Sequence, residues 1–359
     1  MRTSSKTLTS KAVQRFSKNT PGMLSLLYII LCGCVAISCY LISPDNSKYA
    51  NQMHLEIHSK SPGFTAQILE IPAQRKTSLF SKLICGDEFP PTQILIDSYR
   101  ITEEHLIVKK RKEFDLEHKF PLTLFEESVT SYIKTKTYYF GTDKFGRDLL
   151  SRILIGTRIS FSIGFIAVLI SLLIGTSIGA IAGYYGGRID AFCMWVINVT
   201  WSIPTLLLVI AITLALGKGV WQVFISVGLT MWVEVARVVR GQVLSIKTNQ
   251  YVEAAKALGF TDFRIIFKHI LPNIAAPIIV ISAANFAASI LIESGLSFLG
   301  IGAQPPIPSW GGIVKDHYSY LLLGKPYLAV LPGMAISTLV MAFVLTGNAL
   351  RDALDVKVQ

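Results

Sequence analysis

Charge is what this chain has least of. Asp, Glu, Lys and Arg make up 16% of its 359 residues, where a soluble domain carries about 25%. Fully 51% of the residues are hydrophobic. The shortage excludes an ordinary water-soluble globule and makes lipid the main solvent. Acid is scarcer still: 23 Asp and Glu against 34 Lys and Arg leave a net charge of +11. Such an excess suits a nucleic-acid partner, but the cationic cytoplasmic loops of a membrane protein give the same sum. The positions of the charges decide, and they favour membrane lipid with no nucleic acid. Cysteine is also sparse. Cys32, Cys34, Cys39 and Cys193 lie in apolar runs, Cys85 stands alone, and no two form a C-x-x-C. A disulfide framework or a zinc site is therefore not expected, and no metal is assigned. There is no H-E-x-x-H and no histidine beside a buried nucleophile, since His317 with Asp316 falls in a loop. An intramembrane protease is the rival enzyme class; these absences weigh against it, and no catalytic residue is assigned.

Long apolar runs stand where the charges do not. Leu24–Ile42 (LSLLYIILCGCVAISCYLI) is close to the roughly 20 residues a membrane helix needs. It follows a tail, residues 1–23, that holds Arg2, Lys6, Lys11, Arg15 and Lys18 and no acid. The run exceeds the core of a cleaved signal peptide and no A-x-A follows it, so it reads as a retained anchor. After a polar stretch over 43–158, charge vanishes between Arg158 and Arg188, from Ala191 to Gly217, and from Pro326 to Leu350. Gly219–Val239 and Ile274–Ile292 supply two further spans. Glu234 and Arg237, near the end of the former, are i, i+3 neighbours and read as a structural pair. Six spans put both termini on one side. The tail carries five Lys and Arg and the segment Arg237–Asn273 six, while on the other side Lys218 is the one charge between spans three and four and the loop 293–325 offers Lys315 and Lys325. Both termini are thus expected in the cytoplasm. The expected organisation is a cytoplasmic basic tail (1–23), a first span (24–42), an extracytoplasmic insertion and lead-in (43–158), a five-helix core (159–350) with a cytoplasmic loop at 240–273, and a cytoplasmic tail (351–359). The fold class is an all-α polytopic membrane protein.

Within this frame several residues stand out. Gly175, Gly179 and Gly183 recur every four residues and share one helix face, a pattern for close helix packing. Pro204 and Pro277 are positioned to kink their spans. Inside 43–158, Ile94–Ile96 and Leu106–Val108 are β-like and KKRKEFDLEHK is densely charged; a small folded insertion and an irregular solvated loop both fit. GTDKFGRD at 141–148 imitates a phosphate loop, but Arg147 and Asp148 stand where Lys and Ser or Thr are required, and an acid repels phosphate. It reads instead as a turn at Gly141 and Gly146, with local pairing among Asp143, Arg147 and Asp148. The glycosylation-like N-V-T at 198–200 falls in a span and is discounted.

One basic stretch interrupts the apolar chain: YVEAAKALGFTDFRIIFKHILPN, 251–273. Thr248 or Asn249 can cap a helix over Tyr251–Leu258, which Gly259 ends in the left-handed conformation. Thr261 can cap a second, in which Phe263, Ile266, Phe267 and Ile270 form an apolar stripe. Arg264 and Lys268 lie on another face, and Pro272 closes the segment. The elbow fits three roles: a helix lying on anionic lipid, a plain linker, or a piece docked in a partner's groove.

The stretch E-A-A-x3-G followed by L-P, carried here by Glu253, Ala254, Ala255, Gly259, Leu271 and Pro272, resembles the cytoplasmic loop signature of binding-protein-dependent ABC importer permeases. KHILPN, with His269, looks like the oligopeptide, dipeptide and nickel branch. FGTDKFGRDLLSR (140–152), AGYYGGRID (182–190), ESGLSFLGIGAQPPIPSWG (293–311) and ALRDALD (349–355) agree with that branch in order, and the C-type permease subunit of oligopeptide transporters is the nearest in pattern. The resemblance covers the first span and about Phe140 to the end. It implies a type I ABC importer permease fold in a bacterial inner membrane. It further implies a second permease subunit, two ATP-binding subunits that hold the ATP and Mg, and an extracytoplasmic substrate-binding protein, with no cofactor on this chain. The elbow would be the ATPase-coupling element, its small alanines letting a partner approach. The cargo would be an oligopeptide or dipeptide, with a nickel chelate or other small solute as the alternative. A passive channel, the rival transport class, would need no such elbow. Glu293, closing the fifth span near the outer face, is a candidate for path lining or for the substrate's amino end. Trp310, displayed in QPPIPSWGG (304–312), is a candidate surface for the binding protein or an interfacial aromatic anchor.

Overall fold

The computed structural model describes residues 8–73, 75, 77–110, 117–125, 128–217 and 219–354. Lys218, the middle of the charged run (111–116) and parts of both tails (1–7 and 355–359) lie outside the described residues. In chain order come α1 (Leu8–Lys18), α2 (Thr20–Ile42), β1 (Phe64–Ile71), α3 (Leu79–Cys85), β2 (Thr92–Ile101), β3 (His105–Lys110), β4 (Glu117–Pro121) and β5 (Ile133–Tyr138). There follow α4 (Leu149–Tyr185), α5 (Gly187–Trp201), α6 (Thr205–Leu216), α7 (Val220–Ile246), α8 (Gln250–Ala257), α9 (Asp262–Ile265), α10 (Ala275–Phe298), α11 (Trp310–His317) and α12 (Tyr327–Leu354). Among the described residues, five stretches are long and apolar enough to cross a membrane, and α5 with α6 makes a sixth if the bent pair is counted as one span.

The chain divides into two compact units, Met1–Gly33 with Ser160–Gln304 and Met334–Gln359, and Cys34–Ile159 with Pro305–Gly333. In the first, α4 and α7 meet along a glycine seam. A Cβ on Gly175 would fall 2.6 Å from the Trp232 carbonyl and from Val235; on Gly179, 2.5 Å from the Ala236 carbonyl; on Gly183, 2.8 Å from Val243. Only hydrogen at these three positions lets the two backbones approach so closely. The third span is not one rod. The chain turns by 88° between α5 and α6, because Pro204 has no N–H to continue the ladder. Pro277, by contrast, stands in the first turn of α10, which runs past it unbroken. That helix also outlasts the expected span and reaches Phe298.

The second unit holds a five-stranded antiparallel sheet in the order β4-β3-β2-β1-β5. Gln67 pairs with Ile96 across β1 and β2, and Thr65 with Thr137 across β1 and β5. Alternation sorts its side chains to two faces. Leu69, Ile96, Leu106, Val108, Phe125 and Val129 cluster on one; Ile57, Ala66, Ile68, Leu95 and Tyr138 cluster on the other. Of the two readings left open for this region, the folded one is what the chain adopts.

The GTDKFGRD turn also belongs to this unit. The Asp143 carboxylate, fully buried, accepts from the backbone N–H groups of Phe145 (2.8 Å) and Arg147 (2.9 Å) and from Arg147 Nε (2.6 Å). Arg147 also donates to Asn51 Oδ1 at 3.0 Å. Asp148 pairs with Ser151 rather than with the arginine, accepting the Ser151 N–H at 2.9 Å and its hydroxyl, and so caps the start of α4. Burial pushes the Asp148 carboxyl up, against the pull of those bonds.

Candidate functional site

The elbow of residues 249–274 is built in the first unit, and its inner face fixes it. Val252, Ala255, Ile265, Ile266, Ile270 and Ile274 bury themselves against Ala180 and Tyr184 of α4 and Val235, Val239 and Val243 of α7. Polar ties add to the packing. The Tyr184 hydroxyl donates to Asp262 Oδ1 at 2.6 Å, and Lys256 Nζ lies 5.0 Å from the Tyr184 ring centre. Lys247 Nζ donates to the Gly183 carbonyl at 3.0 Å, and Arg240 grips Asp190 through two bonds of 2.5 and 2.6 Å. Displacing the elbow therefore pulls on the ends of α4 and α7.

Helix α8 ends as a glycine-terminated helix should. Gly259 has φ +76°, its N–H donates to the Lys256 carbonyl (2.9 Å), and the Phe260 N–H reaches back to the Ala255 carbonyl (3.1 Å). This is the paired 5→2 and 6→1 arrangement that satisfies the last carbonyls of a helix. Thr261 precedes α9 but its hydroxyl makes no capping bond. Pro272 does not close the segment. A π turn over Ile266–Ile270 and a 3-10 turn over Leu271–Ile274 carry the chain helically from Asp262 to Phe298. The wider turn re-registers the chain around the proline, whose missing N–H breaks the normal ladder.

The apolar stripe expected in the second helix splits. Ile266 and Ile270 turn inward, whereas Phe263 and Phe267 are 70% and 53% exposed and pack on each other at 4.3 Å between ring centres. Two side chains four residues apart stay together on a helix, so each pair keeps its own face and the π turn separates them. The outer face thus presents Tyr251, Leu258, Phe263 and Phe267, together with exposed Glu253 and Ala254. Ala255 faces the core, so only one of the two adjacent alanines is open to a partner. Leu271 is half-buried and Pro272 exposed. Arg264 stacks over Phe260 at 4.1 Å, and Phe260 lies on His269 at 5.8 Å. An exposed apolar patch with a basic rim, on an element rigidly held from behind, can seat a protein partner and pass its motion on.

The other candidates are placed differently. Glu293 is not at a helix end but inside α10 and fully buried, and it accepts the Ser297 hydroxyl at 2.7 Å; the helix continues through E-S-G-L-S-F, which holds no proline to stop it. Trp310 is 2% exposed. Its indole N–H donates to the Ile153 carbonyl at 3.0 Å, and a Cβ on Gly156 would fall 2.8 Å from its ring. It is a core anchor of the second unit and displays no surface. Arg237 does not pair with Glu234: it donates to Asn198 Oδ1 at 2.8 Å and stacks 3.7 Å from the Trp201 ring. Sequence spacing missed the Tyr184–Asp262 and Asp190–Arg240 ties. Their local signals are a phenol in the last turn of α4 and acids in the first turns of α5 and α9.

The family model described as the inner membrane component of binding-protein-dependent transport systems matches residues 175–359. The glutathione transport system permease protein GsiD of Pectobacterium atrosepticum is 39% identical over 246 residues, 68% of this chain and 80% of that one. The dipeptide transport system permease protein DppC of Bacillus subtilis is 44% identical over 222 residues, 62% of this chain and 69% of that one. The oligopeptide transport system permease protein OppC of the same organism is 39% identical over 225 residues, 63% of this chain and 73% of that one.

Proposed function

The chain belongs to the family of inner membrane components of binding-protein-dependent transport systems, and from that premise we propose that it carries peptides inward through a path shared with a second, different permease. Two ATP-binding subunits supply the energy, and an extracytoplasmic binding protein delivers the cargo. ATP and Mg belong to those partners; this chain has no ATPase site of its own. The cargo is assigned to peptides because the relatives GsiD, DppC and OppC are named for glutathione, dipeptides and oligopeptides. Both termini and the elbow face the cytoplasm, where the short-loop Lys and Arg gather, and the sheet of 64–138 faces the opposite side.

One observation carries the reading: an elbow whose inner face is packed on α4 and α7 while its outer face leaves Tyr251, Leu258, Phe263 and Phe267 uncovered. Glu253, Ala254, Ala255, Gly259, Leu271 and Pro272 shape that element, with Ala254 at the surface the motor meets. ATP-driven closure of the motor shifts the elbow, and the packed helix ends shift with it. The binding protein's cargo biases the cycle only through unequal affinity for the inward- and outward-open states.

Purification of the intact complex, followed by identification of co-purified subunits and ligand, tests the whole assignment; a complex with one kind of permease, no ATPase or no peptide overturns the corresponding part. Gly259→Val, which forces a β-branched residue into φ > 0, is expected to abolish uptake while the protein still inserts. Normal uptake by a stably inserted Gly259→Val chain would remove the coupling role of the elbow.

A further inference from the structure

Resting on the peptide-import reading, we propose that Glu234 binds the ammonium group of the passing peptide. Val220–Val233, the stretch of α7 before it, contains no charged residue and spans about 21 Å of helix. Glu234 is therefore the first ionisable group met along that span, and it is exposed on the chain's surface. An acid within a membrane segment is costly against lipid and faces a water-filled cavity or a protein partner. Among the described residues no hydrogen bond or ion pair reaches it, and its neighbour Arg237 is held by Asn198 and Trp201.

A cavity of about 200 Å³ opens at this point, lined by Thr200, Thr205, Thr230 and Glu234 among apolar neighbours from α10. It lies where α5 breaks from α6. Interrupted membrane helices are tolerated where they border a cavity and recur at transport sites. Trp201 also lines the cavity, and the one charge in that lining is the Glu234 carboxylate. The Thr200 hydroxyl donates to the Val196 carbonyl and the Thr230 hydroxyl to the Val227 carbonyl, each at 2.9 Å. With those protons engaged, the two hydroxyls and the carboxylate offer acceptors. A primary ammonium brings three donors and no acceptor, and every peptide with a free N-terminus carries one. A carboxylate or phosphate group would be repelled. The volume suits the end of a peptide and not its whole length.

The test uses the complete complex in proteoliposomes, supplied with saturating binding protein loaded with trialanine. Glu234→Gln is expected to lower the uptake rate about tenfold, the loss of one charge-assisted contact. Glu234→Asp should stay within about twofold of the parent, and ATPase stimulation by the loaded binding protein should be unchanged in both. Loss of uptake with intact stimulation is a signature that a merely structural role does not produce. Independently, Glu234→Cys in a background lacking the five native cysteines should react with a small water-soluble methanethiosulfonate reagent, and trialanine should protect it. Equal uptake by the parent and Glu234→Gln overturns the proposal alone. So does an unreactive thiol in the Glu234→Cys chain, which would place this position against the second permease and out of the path. A parent complex that imports no peptide overturns the peptide reading and this proposal together. If Glu234→Gln fails to assemble, the aspartate variant and the labelling still decide.

Discussion

Two turns in this molecule use glycine in the same backbone conformation for different reasons. Gly259, at the end of α8, has φ +76° with open space where a Cβ would stand. Gly146, in the GTDKFGRD turn, has φ +73°, and its missing Cβ would collide with the His54 carbonyl. The surroundings differ in the same sense. The elbow keeps its charges and several large apolar side chains outside, whereas the turn buries Asp143, Arg147, Asp148 and Arg152. One element is fixed from a single side and left open on the other; the second is enclosed by its own unit. Exposure marks the part made to meet something, and enclosure marks the part made to hold still.

The comparison is broken most forcefully at Asp143. Its carboxylate satisfies two backbone N–H groups and Arg147, with Arg152 Nε 3.6 Å away. Asp143→Ala strands buried arginine charge, a change worth about 3–5 kcal/mol. The purified complex should melt markedly earlier, or the chain should fail to accumulate in the membrane. A melting temperature equal to the parent's would mean that the network is not structural.

The glycines sharpen the contrast. Gly146→Ala combines left-handed strain with a backbone collision and should destabilise by about 3 kcal/mol. Gly259→Ala meets strain alone, about 1 kcal/mol, and should leave melting nearly unchanged while slowing uptake. Side-by-side thermal melts of the two variants settle the ranking. If Gly259→Ala were the more destabilising, open space at that position would not describe the assembled protein.

The sequence made these two regions legible to different depths. Apolar run length located the membrane helices, because bilayer thickness sets a minimum that short-range pattern can meet. Gly259 was readable because ending a helix is a local act. Trp310 was not: a tryptophan among three prolines looks displayed until the carbonyl of Ile153 and the gap at Gly156 are known to lie beside it. Those partners are far away in sequence, so no local pattern encodes the contact. The same limit hid the Tyr184–Asp262 bond and the turning of Phe263 and Phe267 away from Ile266 and Ile270. Glu293 was misplaced for a simpler reason, since the run of apolar residues ends before the helix does.

The smallest effect expected concerns His317, one of two buried histidines among the described residues of the second unit. Its Nε2 accepts the Lys144 N–H at 3.3 Å and its Nδ1 is 2.8 Å from the Ile313 carbonyl, so the neutral ring with the proton on Nδ1 satisfies both. Burial lowers its pKa, opposed by the Ile313 carbonyl and by the charges of Asp143 and Asp316, while Lys144 lowers it further. The unfolded chain takes up its proton near pH 6.5, before the folded ring does. Stability is then full above about pH 6.5 and declines as the pH falls toward the lowered folded value, by at most about 1.4 kcal/mol per pH unit. His54, also lowered chiefly by burial, adds a decline of the same sign. His317→Gln keeps a donor and an acceptor without titrating. Its melting temperature should therefore fall less steeply between about pH 6.5 and 5 than the parent's, with the His54 contribution remaining. Parallel profiles for the two proteins would show that the ring takes up its proton in the folded unit as readily as in the unfolded chain, and that its enclosure is looser than that of Asp143 beside it.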